Sequence, residues 1–281
     1  MLLLNASGCL DALTAPEVAG ELDAFVTKTV TPEPREGNPP RRIAETESGM
    51  LNAIGLANPG RDAFLERMLP RLRELGRPLW VSVGGFAAGE YAETCAALAD
   101  VTIEINLSCP NVDEAPESAA EIVAACRAAT SLPLYAKLSP HAWDMGETVR
   151  AIEAAGADGI SLVNTLRGSA LDGGLRPLLT RGSGGYSGPA LKPVALAAVM
   201  AARRVTSLPI VGMGGVSTGR DALELIACGA THVALGTVLF ADPDAPGRIR
   251  RELEEAARAA GFEHAEQASG AALEPVVNAA N

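Results

Sequence analysis

Apolar residues in this chain recur in short runs bounded by glycine, proline or polar turns, and from the third run onward they alternate with helical patterns. The runs predict eight strands, at Leu2–Asn5, Ala24–Val30, Leu79–Gly84, Thr102–Ser108, Leu134–Leu138, Gly159–Thr165, Ile210–Gly215 and His232–Val238. Apolar positions at helical spacing predict helices at Gly89–Ala99, Ser118–Thr130, Asp144–Ala155, Pro193–Val205, Thr218–Cys228 and Pro246–Ala260. The order indicates one strand and helix unit that recurs along the chain.

Eight strands alternating with helices in 281 residues predict an α/β fold, a single (β/α)8 TIM barrel domain over residues 1–281. An open, doubly wound parallel sheet is the alternative. That fold usually has a glycine-rich turn after its first strand, and the turn Asn5-Ala6-Ser7-Gly8 is too short for the dinucleotide pattern. We therefore expect a barrel, in which chemistry collects at the C-terminal ends of the strands.

Composition narrows the class of protein further. Hydrophobic residues make up 48% of the chain, without an apolar run near the length of about 20 residues that spans a membrane. Five cysteines without a CxxC pair or metal-ligand spacing, and three scattered histidines, indicate neither a zinc site nor a Ser-His-Asp triad. Cys95, Cys126 and Cys228 fall in predicted helices, where we expect reduced core residues. The odd cysteine count and the lack of a signal peptide predict a cytoplasmic location. A net charge of −11 disfavours nucleic acid or an anionic membrane as the main partner.

The segment from Ile103 to Asn111 carries the first candidate chemistry. It begins as a strand that Pro110 ends, and Asn106, Cys109 and Asn111 lie at or just past the strand's end. A thiol at this position can remove a proton, and amides can hold carbonyls or a carboxylate. A tight turn with a buried cysteine is the alternative interpretation.

Glycines follow the last two predicted strands. Gly214 and Gly215 end the seventh strand before a helix, and Gly236 and Thr237 end the eighth. Glycines let backbone N–H groups approach a phosphate closely, and a helix N-terminus adds the positive end of its dipole. The loops after strands seven and eight are the usual phosphate site of barrels. The pair of loops predicts a phosphate-bearing ligand, although either loop alone is also typical of an ordinary tight turn.

Two lysines lie near the ends of otherwise apolar strands. Because burying an unpaired ammonium group is costly, we expect Lys28 and Lys137 to point into the barrel mouth toward an anion or acceptor. The alternative is a lysine that extends from a strand edge to solvent. Asn164 and Thr165 end the sixth strand in the same way. These groups suit an anionic, carbonyl-rich substrate beside a phosphorylated cofactor.

The motifs resemble those of the class 1 dihydroorotate dehydrogenases over nearly the whole chain, from Asn5 to about Phe240. The most specific stretches are 27–35, 37–41, 49–58, 106–111, 164–168 and 184–193. The resemblance implies an FMN-dependent barrel enzyme that oxidises (S)-dihydroorotate to orotate in pyrimidine biosynthesis.

The resemblance also assigns roles to individual residues. Cys109 matches the base that removes a proton from substrate C5 while hydride leaves C6 for flavin N5, and Lys137 matches the lysine that stabilises negative charge on the reduced ring. The positions that match substrate contacts are Lys28, Asn52, Ile54, Gly55, Leu56, Asn106, Asn111, Asn164 and Thr165. The positions that match FMN contacts are Ala6, Ser7, Lys28, Asn106, Lys137, Val163, Gly188, Gly214, Gly215, Gly236 and Thr237. Gly188 is also interpretable as the glycine of a Ser-Gly-Pro turn.

Within class 1, the segment Thr29–Arg35 and the pair Asn164-Thr165 resemble the NAD-linked subclass, called 1B, more than the fumarate-linked one. That resemblance implies a homodimer, or a heterotetramer with an electron-transfer subunit that carries FAD and a [2Fe–2S] cluster. The chain starts almost at its first strand, so we expect it to lack the N-terminal hairpin segment that family members usually carry.

Three other classes stay open on the sequence. One is an FMN-dependent oxidoreductase of another dihydropyrimidine, such as dihydrouracil, which has no carboxylate. Another is a phosphate-binding barrel lyase or isomerase without flavin, which explains the two glycine loops but not Cys109 with both lysines. The last is a barrel that acts only as a binding subunit, and the full set of candidate catalytic groups argues against it.

Overall fold

The computed structural model describes residues 1–107, 118–141 and 144–273. Its strands are β1 (Leu3–Asn5), β2 (Phe25–Val26), β3 (Ile43–Thr46), β4 (Gly49–Asn52), β5 (Leu79–Val83), β6 (Thr102–Asn106), β7 (Leu134–Leu138), β8 (Gly159–Leu162), β9 (Leu166–Gly168), β10 (Gly184–Ser187), β11 (Ile210–Met213) and β12 (His232–Leu235). Its α-helices are α1 (Pro16–Gly20), α2 (Arg61–Ala63), α3 (Leu69–Arg73), α4 (Ala88–Ala96), α5 (Ala119–Ala129), α6 (Met145–Ala154), α7 (Lys192–Arg203), α8 (Gly219–Ala227), α9 (Val238–Ala241) and α10 (Ala245–Ala259). A π-helical turn over Phe64–Met68 joins α2 to α3.

Eight parallel strands form a barrel in the order β1-β12-β11-β8-β7-β6-β5-β2. A parallel bridge between Leu4 and Ala24 brings β1 beside β2. This order confirms the predicted (β/α)8 barrel and all eight predicted strands. Several strands stop short of their predicted ends, most of all β2, because the residues that follow turn toward the mouth of the barrel.

The six predicted helices are confirmed as α4, α5, α6, α7, α8 and α10, within one to three residues at each end. Side-chain caps explain where three of them begin. Ser118, Asp144 and Thr218 each accept a hydrogen bond from the backbone N–H three residues later, at the starts of α5, α6 and α8. No helix of the described residues is long and apolar enough to cross a bilayer.

A second, antiparallel sheet has the strand order β3-β4-β10-β9 and was not among the predicted strands. Its strands come from the two long connections after β2 and β8. β3 has no buried residue and β4 only one, so these segments lack the buried face that gives a strand its apolar pattern. The prediction of one strand over Gly159–Thr165 is also too long, because β8 ends at Leu162 and the chain then turns toward the second sheet.

Apolar side chains fill the lower part of the barrel. The interior cluster consists of Leu4, Ala24, Val26, Trp80, Tyr135, Val211, Met213 and Ala234. The rings of Trp80 and Tyr135 lie with their centroids 4.4 Å apart. Gly159 makes room for them, since a Cβ at that position would lie 2.2 Å from Tyr135 Cε1. The larger apolar cluster lies outside the barrel, between the strands and the helices. The interior is therefore a packed core, and its polar groups lie higher, toward the strand ends.

Candidate active site

A cavity of about 230 Å³ opens where the barrel strands end. It is lined by Ala6, Ser7, Gly8, Cys9, Lys28, Thr29, Ile43, Met50, Asn52, Ile54, Leu56, Asn106, Lys137, Val163, Asn164, Thr165, Ser187, Gly188, Leu191, Met213, Gly214, Gly215, Val216, Gly236, Thr237 and Phe240. The lining comes from residues at or just beyond barrel strand ends, and from β3, β4 and β10 of the second sheet. The second sheet thus forms one side of the cavity.

All but one of the described residues that the sequence predicts for the site line this cavity. The exception is Gly55, whose left-handed backbone (φ +75°) packs against Asn38, where a Cβ would lie 2.7 Å from the backbone nitrogen. Gly55 therefore shapes the turn between Ile54 and Leu56 and is not part of the cavity wall. The predicted base Cys109 and the predicted substrate contact Asn111 lie outside the described residues.

A chain of hydrogen bonds connects polar side chains across three strand ends. The amide of Asn164 donates to Asn106 Oδ1 at 3.1 Å, and the amide of Asn106 donates to Thr29 Oγ1 at 3.2 Å. Thr29 Oγ1 lies 2.9 Å from Ser82 Oγ, and the backbone N–H of Thr165 donates to Asn164 Oδ1 at 2.8 Å. Because each side chain is held by its neighbour, the amides present a fixed set of donors and acceptors to the cavity. The sequence singled out the two asparagines but missed Thr29 and Ser82.

The turn at Leu56 has an unusual backbone for a residue with a branched side chain. Its φ is +57°, in the left-handed region that most residues other than glycine avoid. Asn58 holds this turn, since its amide donates to the Leu56 carbonyl at 2.7 Å and to Thr31 Oγ1 at 2.8 Å. Backbone strain of this kind tends to occur at functional sites, where it fixes a geometry in advance. Leu56 and Ile54 line the cavity.

The two predicted lysines both reach the cavity, but in different surroundings. Lys28 packs against the loop after β1, where a Cβ on Gly8 would lie 3.0 Å from Lys28 Cδ. Lys137 is buried, and its ammonium donates to Ser7 Oγ at 2.9 Å. Its second partner is Glu104 Oε1 at 3.3 Å. Sequence reasoning missed Glu104, although a charged residue between Ile103 and Ile105 carries the same signal as a lysine in an apolar strand.

The glycine loops after β11 and β12 form another part of the cavity wall. Gly215 has a φ of +80°, and a Cβ there would lie 2.7 Å from the backbone nitrogen of Lys192. Gly214 has a φ of +114°, so both positions favour glycine for conformational reasons. At Gly236 a Cβ would make only ordinary van der Waals contacts, with Ala6 and Cys9 at 3.9 Å each, so there is room beside this backbone. Among the described residues no side chain accepts a hydrogen bond from the N–H of Gly215 or Thr237.

The N-terminus of α8 differs from the expectation that it would face the ligand. Asp221 accepts hydrogen bonds from the backbone N–H groups of Ser217 and Thr218, at 3.0 and 2.8 Å. Glu252 accepts one from the N–H of Gly219 at 2.8 Å. The helix start is therefore capped by the protein's own carboxylates, and the loop glycines are the better donors for an anion.

Lys192 connects this capped helix to the glycine loop. Its ammonium lies 2.6 Å from Asp221 Oδ1 and 2.9 Å from Glu224 Oε2. The hydrogen bonds that the Lys192 ammonium donates to these two carboxylates raise the pKa of Lys192. Burial acts to raise the pKa of Asp221, but the hydrogen bonds it accepts from Lys192, Ser217 and Thr218 outweigh burial and hold that pKa below its usual value. The glycine loop is thus fastened to α8 by a charged network.

Cys9 is a thiol in the cavity that the sequence analysis did not single out. Burial raises the pKa of Cys9, against the opposing effect of the Lys137 and Lys28 charges. A thiol whose pKa is raised is a poor base at neutral pH. The other described cysteines, Cys95, Cys126 and Cys228, are buried and free, as expected for core residues.

The fold and the cavity together define a class of protein. It is a (β/α)8 barrel with glycine loops after its last two strands. Its cavity is lined by the buried Lys137 and by the amide side chains of Asn106 and Asn164. This is the arrangement of a barrel enzyme with its active site at the C-terminal face of its strands.

Comparison with known proteins specifies the family. The sequence profile described as dihydroorotate dehydrogenase matches residues 2–256. A relative from Listeria monocytogenes, named dihydroorotate dehydrogenase B (NAD(+)), catalytic subunit, is 44% identical over 275 residues, which cover 92% of this chain and 90% of that one. A relative of the same name from Trichlorobacter lovleyi is 45% identical over 247 residues, covering 84% and 81%. The chain therefore belongs to the dihydroorotate dehydrogenase family, in the branch of the NAD-linked B catalytic subunits.

A solved structure supports the fold. The crystal structure of DHODH from Eimeria tenella in complex with ferulenol aligns with a TM-score of 0.78 and 22% sequence identity, over 97% of this chain and 85% of that one. At this sequence identity the similarity is evidence about the fold alone, and it agrees with the barrel described above.

Proposed function

We propose that this protein oxidises (S)-dihydroorotate to orotate in pyrimidine biosynthesis, with FMN bound at the mouth of the barrel. The observation that carries the proposal is that one cavity at the strand ends is lined by all but one of the described residues that the family resemblance assigns to cofactor and substrate. Chemically these residues divide into two groups, a phosphate-binding part at the glycine loops and an amide-rich wall at the ends of β6 and β8.

The residues present fit FMN. The backbone of Gly214, Gly215, Gly236 and Thr237 is expected to hold the phosphate. Gly215 and Thr237 have N–H groups that no described side chain uses, and a Cβ on Gly236 would have no contact shorter than 3.9 Å. Ala6, Ser7, Val163 and Gly188 are expected to contact the flavin, and Lys28, Asn106 and Lys137 its polar atoms. Bound FMN supplies the hydride acceptor.

Gly188 has a structural requirement as well as its proposed contact. Its φ is +116°, and a Cβ there would lie 2.5 Å from Gly49 Cα, so the two turns can approach only with glycine at this position. Gly188 is therefore the glycine of a tight turn and also a residue of the cavity wall.

The substrate's carboxylate and ring amides are expected to bind along the amide wall. Lys28 supplies a positive charge, and Asn52, Asn106, Asn111, Asn164 and Thr165 supply donors and acceptors. The backbone between Ile54 and Leu56 contributes to the same end of the cavity. Cys109 is the proposed base that takes the proton from C5 of the substrate, since a thiol titrates at about 8.5 and nearby cations lower that value.

We also propose that the chain forms a homodimer, or a heterotetramer with an electron-transfer subunit that carries FAD and a [2Fe–2S] cluster. The relatives' shared name, catalytic subunit, supports a partner. Ile43 and Phe240 support an apolar contact between the partner subunit and the rim of the cavity, because each is more than half exposed and each lines the cavity. The cytoplasmic location expected from the cysteines stays a prediction.

Electron acceptors distinguish the two subclasses. We expect the protein, reduced by dihydroorotate without oxygen, to pass electrons to NAD+ only when the electron-transfer subunit is added. Rapid reoxidation by fumarate without that subunit would instead assign the chain to the fumarate-linked subclass.

The proposed substrate is tested by comparing dihydroorotate with dihydrouracil as reductants of the bound flavin. We expect reduction by dihydroorotate in the wild type. We expect Lys28→Met to weaken orotate binding by about 10- to 100-fold, because a hydrogen bond to a charged group contributes about 1.5–3 kcal/mol. Uracil, which has no carboxylate, is the matched control, and its weak binding is expected to change little. Preferential reduction by dihydrouracil would replace the proposed substrate with another dihydropyrimidine.

A further inference from the structure

Glu104 and Lys137 form an ion pair in the interior of the barrel. The ammonium Nζ lies 3.3 Å from Glu104 Oε1, and the side chains are only 2% and 4% exposed, respectively. Glu104 lies two residues before Asn106 on β6, so both side chains point to the inside of the barrel. Glu104 therefore lies one layer below Asn106 and Lys137, which are in register with each other and line the cavity.

Stability does not explain why an ion pair is placed there. Removing two charges from water costs several kcal/mol per ion, and apolar residues in place of a buried pair are often neutral or stabilising. Barrel interiors are normally filled by branched apolar side chains. The neighbouring interior positions Leu4, Val26 and Val211 follow that rule. A charged pair in such a layer indicates a functional requirement.

The lysine content of the chain points to the same residue. Lys28, Lys137 and Lys192 are the only lysines in a sequence with 23 lysines and arginines. Two of the three line the cavity, and the third fastens the glycine loop to α8. Arginine thus serves nearly every other position that needs a cation. An arginine fork cannot replace a compact ammonium in a confined space, which accounts for lysine at 137.

The ammonium of Lys137 has three N–H donors, and within the described residues Ser7 and Glu104 accept two of them. We propose that Glu104 is a positioning residue for Lys137: its carboxylate holds the ammonium against Ser7, leaves one donor for the cavity, and offsets part of the positive charge. Glu104 thereby sets how strongly Lys137 stabilises negative charge on a reduced flavin. This inference rests on the proposed function, in which FMN binds above Lys137.

The two members of the pair are expected to act on bound FMN in opposite directions. Glu104→Gln keeps an oxygen acceptor for Lys137 but removes the negative charge, so the less compensated ammonium favours reduction and the midpoint potential rises. Lys137→Met removes the positive charge, and the potential falls. We expect each variant to change the equilibrium constant for two-electron reduction at least tenfold, which corresponds to about 30 mV.

The experiment measures the midpoint potential of FMN in the loaded protein, by equilibration with a reference dye, for both single variants and the double variant. Because Glu104 acts through Lys137, we expect Glu104→Gln to have a much smaller effect in the Lys137→Met background. Ser161→Ala is the matched control. Ser161 lies on β8, in register with Lys137 of β7, and is fully buried. Its Oγ has no hydrogen-bond partner among the described residues, so its loss is expected to leave the potential unchanged.

A second measurement needs no flavin. With only three lysines, protein labelled with 13C at the lysine ε-carbon gives three ε-methylene signals, and Lys137→Met identifies the one from residue 137. We expect Glu104→Gln to shift this signal in the apoprotein and to leave that of Lys192 in place. If Glu104→Gln does not fold, Glu104→Asp provides the same test, with a smaller rise in potential expected from the longer distance to the ammonium.

Three results would overturn the inference. They are an unchanged potential in the Glu104 variant, a shift in the same direction as that of Lys137→Met, or an equal shift with and without Lys137. The last would mean that Glu104 acts on the flavin directly. A wild-type protein that takes up no FMN would overturn the proposed function and this inference with it, whereas a flavin-loaded wild type with an indifferent Glu104 would overturn the inference alone.

Discussion

At the residue scale, the proposed chemistry depends most on Cys109. We expect Cys109→Ala to retain FMN but to slow reduction of the flavin by dihydroorotate about 10²- to 10⁴-fold, the range typical of a lost general base. Cys109→Ser is expected to be slow at neutral pH and to recover partly as the pH rises, because a hydroxyl gives up its proton less readily than a thiol. Anaerobic stopped-flow measurement of flavin absorbance checks both.

The matched control is Cys228→Ala. Cys228 is buried near the end of α8, and burial raises the pKa of its thiol, so it has no part in proton removal. Its replacement is expected to leave the rate of flavin reduction unchanged. A wild-type rate in Cys109→Ala would show that another group removes the proton.

Individual site residues were predictable from the sequence where a polar residue ends an apolar strand. That signal identified Lys137, Asn106 and Asn164. It missed Thr29 and Ser82, because a hydroxyl in a strand is too common to attract notice, and their importance comes from hydrogen bonds between strands that are distant in sequence.

At the element scale, the glycine loop after β11 is constrained both by the positive φ of Gly214 and Gly215 and by close packing against Lys192. We expect Gly215→Ala to weaken FMN binding at least tenfold, because a Cβ would collide with the backbone of Lys192 and a left-handed backbone costs about 1–2 kcal/mol for a residue with a side chain. Titration of the apoprotein with FMN measures the effect. Gly89→Ala in α4, where a Cβ meets nothing within 4 Å, is the control and is expected to bind FMN as the wild type does. Equal affinities in both variants would contradict the assignment of this loop to the phosphate.

Asp221 is expected to make the stability of the folded protein depend on pH through the same loop. Its pKa in the folded protein lies below the ordinary value of 3.8, so its contribution to stability is complete above that value and is lost as the pH falls through the lower folded pKa. We expect Asp221→Asn to melt at a lower temperature than the wild type at pH 7, and the gap to narrow below about pH 3.8. Thermal melts at both pH values check this, with Asp62→Asn as a surface control because the side chain of Asp62 is 85% exposed. A gap of constant size would contradict the role of the charge.

The elements themselves were well predicted wherever they bury an apolar face. The barrel strands and their helices have that pattern. The second sheet does not, since its strands are short and partly exposed. Its central pairing, of β4 with β10, also joins residues more than a hundred positions apart, such as Met50 and Ser187. The capping of α8 was also missed, because Glu252 approaches Gly219 from another helix.

At the scale of the whole molecule, closure of the barrel depends on few backbone contacts between its first two strands. Asn5 compensates for this. It is fully buried, its amide donates to the Val26 carbonyl at 2.7 Å, and its Oδ1 accepts from the Val26 N–H at 2.8 Å. A side chain thus supplies the pair of hydrogen bonds that a neighbouring strand would otherwise provide.

We expect Asn5→Ala to lower the free energy of unfolding by about 2–5 kcal/mol, because two buried backbone groups of Val26 lose their partner and each unsatisfied group costs about 1–3 kcal/mol. Urea denaturation of the apoprotein measures this. Ser161→Ala removes a buried hydroxyl that has no hydrogen-bond partner among the described residues; it is the control and is expected to change stability little. Equal stability of the two variants would show that Asn5 does not hold the barrel closed.

The central claim is that this barrel binds FMN at its mouth and that dihydroorotate reduces it there. The most direct test is the visible spectrum of the purified, FMN-reconstituted protein, recorded without oxygen before and after dihydroorotate is added. We expect an oxidised flavin spectrum that bleaches within the time of mixing. A protein that binds no flavin, or a bound flavin that stays oxidised, would contradict the claim.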